Sequence, residues 1–144
     1  MSLKITLKSN ERLIVGGAVV KNGGKGTVLY IENTIPILRE KDILTRKAAN
    51  TPAKRIYLAI QLMYTSHNPS PHHELYFSLL RDILRAAPST LPIIESINNH
   101  ILTGDMYKAL KCAKKLISYE EELIKHAQRS TSVPVNSQTD RKSA

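Results

Sequence analysis

The stretch Lys21-Asn22-Gly23-Gly24-Lys25-Gly26 (KNGGKG), followed by Thr27, decides between two folds for this chain. Glycine, lysine and a hydroxyl residue are the ingredients of a phosphate-cradling loop. That loop needs the pattern G-x-x-x-x-G-K-[ST], with a strand before it and a helix after it. Here Lys25 is followed by Gly26, and the next residues, TVLYIE, are rich in β-branched and aromatic side chains. Without a helix N-terminus, no aligned set of amides faces a phosphate. Asn22-Gly23 between two β runs is instead a strong hairpin signal, because both residues tolerate positive φ. The stretch is therefore expected to turn a hairpin, and the nucleotide-loop reading fails.

Working outward, Leu3, Ile5 and Leu7 alternate with Lys4, Thr6 and Lys8, the period of a half-buried strand. Ser9-Asn10-Glu11 has turn composition. Leu13-Ile14-Val15 and Ala18-Val19-Val20 are short apolar runs broken by Gly16-Gly17, which marks a bulge or tight bend. Thr27 to Glu32 and Thr34 to Leu38 read as further strands, with Pro36 as an edge signal. After residue 50 the period becomes helical. Thr51-Pro52 supplies an N-cap and a first-turn proline, and Ile56, Ala59, Ile60 and Met63 follow at helical spacing. His67 to Pro71 breaks the chain. Tyr76, Leu79, Leu80 and Ile83 then mark a second helix, and Ile93, Ile94, Ile97 and Ile101 a third. Thr103-Gly104-Asp105 stops it and caps a fourth, whose stripe runs from Met106 to Ile124.

The expected fold is α+β: a small N-terminal antiparallel sheet or partial barrel, then a bundle of about four helices. Residues 1–48 form a basic β unit, and 49–127 a helical bundle packed with it as one compact protein. Residues 128–144, polar and without periodicity, read as a disordered tail.

Charge is the first functional signal. The 144 residues carry 21 Lys+Arg against 12 Asp+Glu, a formal net charge of +9. The excess is N-terminal: residues 1–60 hold 11 basic and four acidic residues, whereas 61–103 hold two and three. A basic field of this kind favours a polyanion partner such as nucleic acid. Lys21, Lys25, Arg39, Lys41, Arg46, Lys47, Lys54 and Arg55 are the candidate phosphate contacts. Tyr30 and Tyr57 can stack on bases if exposed. The bland reading for each is a solvated face, with local pairs of Arg39 or Lys41 to Glu40 or Asp42.

Other chemistries find no support. The five histidines include no H-x-x-x-H pair, so neither a metal nor any cofactor is expected. Cys112 lies beside the apolar stripe of the last helix and reads as packing, and Glu120-Glu121-Glu122 reads as a solvated run. No acid/base or nucleophile constellation marks an enzyme. No run is apolar enough to span a membrane and no signal peptide leads the chain, so a cytoplasmic protein is expected. Lys108, Lys111 and Lys115 form a basic face on the last helix, either an ordinary amphipathic edge or a seam for a partner protein or a second copy.

Several segments together carry a resemblance. RLIVGGAVVKNGG, ILREKDIL, NTPAKRIYLAIQLMY and YKALKCAKKLISYEEEL are similar to the FlbT family of flagellum biosynthesis regulators of alphaproteobacteria, from about Leu3 to Ile124. The resemblance implies a post-transcriptional regulator without enzymatic activity. It would associate with the 5′ untranslated region of flagellin mRNA and repress flagellin synthesis by promoting decay of that message. A protein-interaction module binding flagellin or another flagellar assembly factor, with indirect effects on mRNA, is the competing expectation. The order of short strand, LIVG, glycine turn and LRE also resembles the small β-sheet RNA-binding proteins of the carbon storage regulator family. An arginine that contacts RNA there would correspond to Arg39.

Overall fold

Gly16-Gly17, not Asn22-Gly23, turns the first hairpin. A computed structural model describes residues 2–66 and 68–132, with side chains through Arg129; His67, in the expected chain break, lies outside them. Strands β1 (Leu3–Leu7), β2 (Arg12–Val15), β3 (Ala18–Lys21), β4 (Thr27–Ile31) and β5 (Ile37–Arg39) come first, followed by a 3-10 turn at Glu40–Asp42. Val15 pairs with Ala18 across a two-residue turn. Gly16 sits at φ 59°, where a Cβ would also come within 3.0 Å of the Ile35 side chain. Left-handed backbone at the first central residue of a two-residue turn is where glycine is needed.

KNGGKG does something else. Antiparallel pairs join β1 to β4 and β2 to both β3 and β5, giving a two-stranded sheet β1-β4 and a three-stranded sheet β3-β2-β5. The stretch thus crosses from one sheet to the other, and the hairpin expectation is corrected. Asn22 fixes the crossing. Its Nδ2 donates to the carbonyls of Leu7 (3.2 Å), Lys8 (3.1 Å) and Lys25 (2.8 Å), and its Oδ1 accepts the Gly24 N–H at 3.1 Å. Its backbone N–H donates to the Glu11 carbonyl at 2.9 Å. One amide side chain therefore ties the end of β1 to the crossover and overrides the local turn preference.

Strand β2 is covered on both faces, whereas β3 at the edge of the same sheet is exposed, so β2 is a continuous apolar run rather than an alternation. Leu13 points to a small core with Ile5 and Leu7, closed by Val15, Leu29, Ile31 and Ile37. Its neighbour Ile14 points the other way, with Leu38, into the larger core of the helices.

Four helices follow: α1 (Pro52–Thr65), α2 (Ser70–Ala86), α3 (Leu91–Leu102) and α4 (Met106–Ser132). The α+β architecture with a C-terminal helical bundle is as expected, and the five strands do not close into a barrel. Helix α1 lies at the centre, packed on α2 and α4, and α3 packs on α4. Its N-terminus is capped twice. Thr51 Oγ1 accepts the Lys54 N–H at 3.2 Å, and Glu120 Oε2 of α4 accepts the Ala53 N–H at 2.9 Å. A carboxylate is favoured at that end of a helix by its unpaired amides. Glu120 is thus buried and used, a correction to the solvated run expected at 120–122, and its Oε1 makes no hydrogen bond. Gln61, also buried, grips the loop before α1 with both ends: Oε1 accepts the Leu44 N–H and Nε2 donates to the Leu44 carbonyl. Gly104 at φ 80° ends α3, and Asp105 Oδ1 caps α4 through the Lys108 N–H at 3.2 Å. Helix α4 runs on through Ser132, into the stretch assigned from sequence to the tail; residues 133–144 lie outside the described part.

Candidate nucleic-acid interface

Alternation along β1 sends Ile5 and Leu7 into the small core and leaves Lys4, Thr6 and Lys8 exposed. Strand β5 ends at Arg39, whose guanidinium donates to the Thr6 carbonyl at 3.0 Å. That bond lays Arg39 across β1 and joins the two sheets. The 3-10 turn that follows leaves Lys41 exposed and turns Asp42 inward. Lys8, Arg39 and Lys41, with Thr6 and Glu11, line a shallow cavity of about 420 Å³.

Two carboxylates border this patch, and both are occupied by backbone. Glu11 Oε1 accepts the Lys8 N–H at 2.7 Å, and Glu40 Oε1 accepts the Arg12 N–H at 2.9 Å. Among the described residues, Lys4, Lys8, Arg39 and Lys41 form no ion pair. Lys4 on β1, Lys8 just after it, Arg39 at the end of β5 and Lys41 in the turn that follows thus concentrate unpaired positive charge on this edge of the β unit.

Asp42 explains why this edge of the β unit holds its shape. Only 3% exposed, its carboxylate meets Lys111 at 3.5 Å and a closer Lys114, both on α4. Burial alone would raise its pKa. The Lys114 hydrogen bond and the charges of Lys114, Lys111 and Lys41 outweigh burial, and the carboxyl lies below its ordinary value. Its backbone carbonyl accepts the Tyr57 hydroxyl.

Tyr57 is therefore not a stacking residue. At 3% exposed it belongs to the helical core, and burial, with the nearby Asp42 charge, pushes its phenol well up. Its position on the inner face of α1 withdraws it from the candidates. Tyr30 is 60% exposed and lies opposite Lys4 in the β1–β4 register. Lys21 ends β3 and Lys25 sits in the crossover, both exposed. Asn22 bonds the carbonyls of both Lys8 and Lys25, so those two residues share one corner of the molecule. Arg46 and Lys47 are exposed before α1; in its first turn Arg55 is exposed and Lys54 half-buried. The basic face expected on α4 is divided. Lys108 pairs with Asp105 at 3.5 Å, Lys115 is exposed, and Lys111 is held by Asp42 and lies 5.0 Å over the Tyr107 ring. Its hydrogen bond to Tyr107, with the Asp42 charge, raises the Lys111 pKa. Lys111 is thus tied to the fold on one side, while its side chain stays 43% exposed.

Lys4 and Lys8 were missing from the sequence-based candidates. Their signal was the polar register of β1, which any half-exposed strand shows. Among the described residues no helix is long and apolar enough to cross a membrane.

Comparison with known proteins identifies the family. The family model "Flagellar protein FlbT" matches residues 3–124. The chain is 57% identical over 124 residues to "Probable flagellum biosynthesis repressor protein FlbT 1" of Bradyrhizobium diazoefficiens, covering 85% of each chain. It is 44% identical over 124 residues to the probable FlbT repressor of Rhodopseudomonas palustris, covering 86% of this chain and 98% of that one. It is 34% identical over 135 residues to "Flagellum biosynthesis repressor protein FlbT" of Caulobacter vibrioides, covering 92% and 96%. No solved structure matches significantly. With the family model spanning both sheets and nearly all of the four helices, the chain belongs to the FlbT family of flagellar proteins.

Proposed function

We propose that this protein represses flagellum biosynthesis after transcription, by binding the 5′ untranslated region of flagellin mRNA and promoting decay of that message. The relatives are named flagellum biosynthesis repressors, which supports the repressor role. The observation that carries the RNA reading is the row Lys4, Lys8, Arg39 and Lys41, four cations without ion pairs among the described residues, on β1 and just after it, and on β5 and the turn that follows. Phosphates position an RNA strand along such a row, and exposed Tyr30 offers a ring to an unstacked base. Lys21 and Lys25 extend the row around the corner that Asn22 fixes, and Arg46, Lys47, Lys54 and Arg55 supply outer charge. The reading needs no catalytic group: the protein marks the message, and degradation follows from other factors in the cytoplasm. A gel shift of the purified protein on the flagellin leader tests it, with a scrambled leader as control. A complex with the true leader alone is expected; equal or absent binding to both contradicts the proposal.

One observation favours a second reading, an adaptor for flagellin or another assembly factor. An apolar cavity of about 390 Å³ opens between α1, α2 and α3, with Phe77 50% and Leu102 83% exposed at its rim. Pull-down from lysate with and without nuclease separates the two. A flagellar partner retained after nuclease, without a purified RNA complex, supports the adaptor.

A further inference from the structure

Where the β unit meets the helices, a cavity of about 240 Å³ is lined by Lys4 of β1, Arg39 of β5, Tyr64 of α1 and Tyr107 of α4. Leu3 and Ile35 also line it and stay 52% and 38% exposed, so its apolar wall is unfinished. Its volume holds about eight water molecules at their liquid volume, the space of one heteroaromatic ring rather than of a whole small-molecule ligand. Asp42 also lines the cavity, but Lys111 and Lys114 neutralise it. Tyr107 is 40% exposed, and Lys111 covers its ring at 5.0 Å while the ring lines the cavity. The Tyr64 hydroxyl is turned to the Ile37 carbonyl, which anchors its ring at the wall.

Arg39 belongs to this cavity and also to the neighbouring one lined by Lys8 and Lys41. A polyanion following the lysines is thereby led to the cavity mouth. We infer that the cavity receives one unpaired nucleobase of the bound RNA, stacked against Tyr107, while Arg39 and Lys4 hold the flanking phosphates. This rests on the RNA-binding reading and adds to it a strand requirement. A base inside a duplex cannot enter, and unstacked bases meet aromatic rings most readily in single strands. An acidic peptide bearing an aromatic residue has related chemistry, but the repeating cation row favours repeating phosphates.

The test uses the full-length protein and a short fluorescent single-stranded RNA from the flagellin leader, free and annealed to its complement. Wild type is expected to prefer the single strand. Tyr107→Ala should lose about five- to 150-fold in affinity for it, the range for one base–aromatic stack, with an unchanged salt slope. Tyr107→Phe, which keeps the ring, should bind as wild type does. Thiouridine-substituted RNA should photo-crosslink to the peptides carrying Tyr107 or Tyr64. The inference is overturned, with RNA binding intact, if Tyr107→Ala binds fully and crosslinks map elsewhere, or if duplex and single strand bind alike. If the wild type binds no RNA but captures an acidic aromatic peptide, both the inference and the RNA reading fall.

Discussion

Asp42, at the end of the β unit, is held by Lys114 on the last helix, 72 residues away in sequence. With Lys111 also on that carboxylate, one ionised group links the basic row to the helical bundle. Removing the carboxylate should therefore disturb both stability and the placement of Lys41 beside it.

The pH dependence follows from the direction of the Asp42 shift. A carboxyl whose folded pKa is lowered stabilises the fold fully above its unfolded value, and that contribution is lost as pH falls through the folded value. Stability of the wild type should decline below about pH 4, and the decline should be shallower in Asp42→Asn. At neutral pH that variant should be less stable by about 1–2 kcal/mol, read from urea midpoints. Parallel acid limbs in the two proteins would refute the role given to Asp42.

Asn22→Ala removes the bonds to three carbonyls and one amide at the crossover between sheets. The expected cost is about 1–2 kcal/mol, because the part-buried Leu7 carbonyl loses its donor while the exposed carbonyls of Lys8 and Lys25 turn to water. Gly23→Ala, where an added Cβ meets nothing within 4 Å, should change the urea midpoint far less. Equal midpoints for Asn22→Ala and wild type would show that the glycines alone set the crossing.

Glu120→Ala removes the carboxylate from the N-terminus of α1. Destabilisation of about 1–2 kcal/mol is expected, typical of a lost cap. Glu121→Ala, at an exposed position of α4, serves as the control and should stay near wild type.

The helical half was legible because apolar residues at helical spacing and the caps at Thr51 and Asp105 are local signals. Five strands were legible from β-branched runs and glycine breaks. Their pairing was not, since Asn22-Gly23 has the composition of a hairpin turn while its outcome depends on Leu7 and Lys8, more than a dozen residues earlier. Tyr57 and Glu120 misled for the same reason: their partners, Asp42 and Ala53, lie 15 and 67 residues away. Of the interface, Arg39 and Lys41 were legible as charge. Lys4 and Lys8 became candidates only when the Arg39 bond to Thr6 laid β5 against β1.

The most direct test of the central claim is the affinity of the purified protein for the flagellin leader as salt is varied, for wild type, Arg39→Ala and Arg81→Ala. Four phosphate contacts on a single strand predict that wild-type affinity falls roughly 50-fold between about 50 and 200 mM monovalent salt. Arg39→Ala should bind more weakly and with a shallower slope, whereas Arg81→Ala, exposed on α2 away from the row, should match wild type. A wild-type affinity that stays flat across that range, or equal affinities for the two variants, would contradict the account.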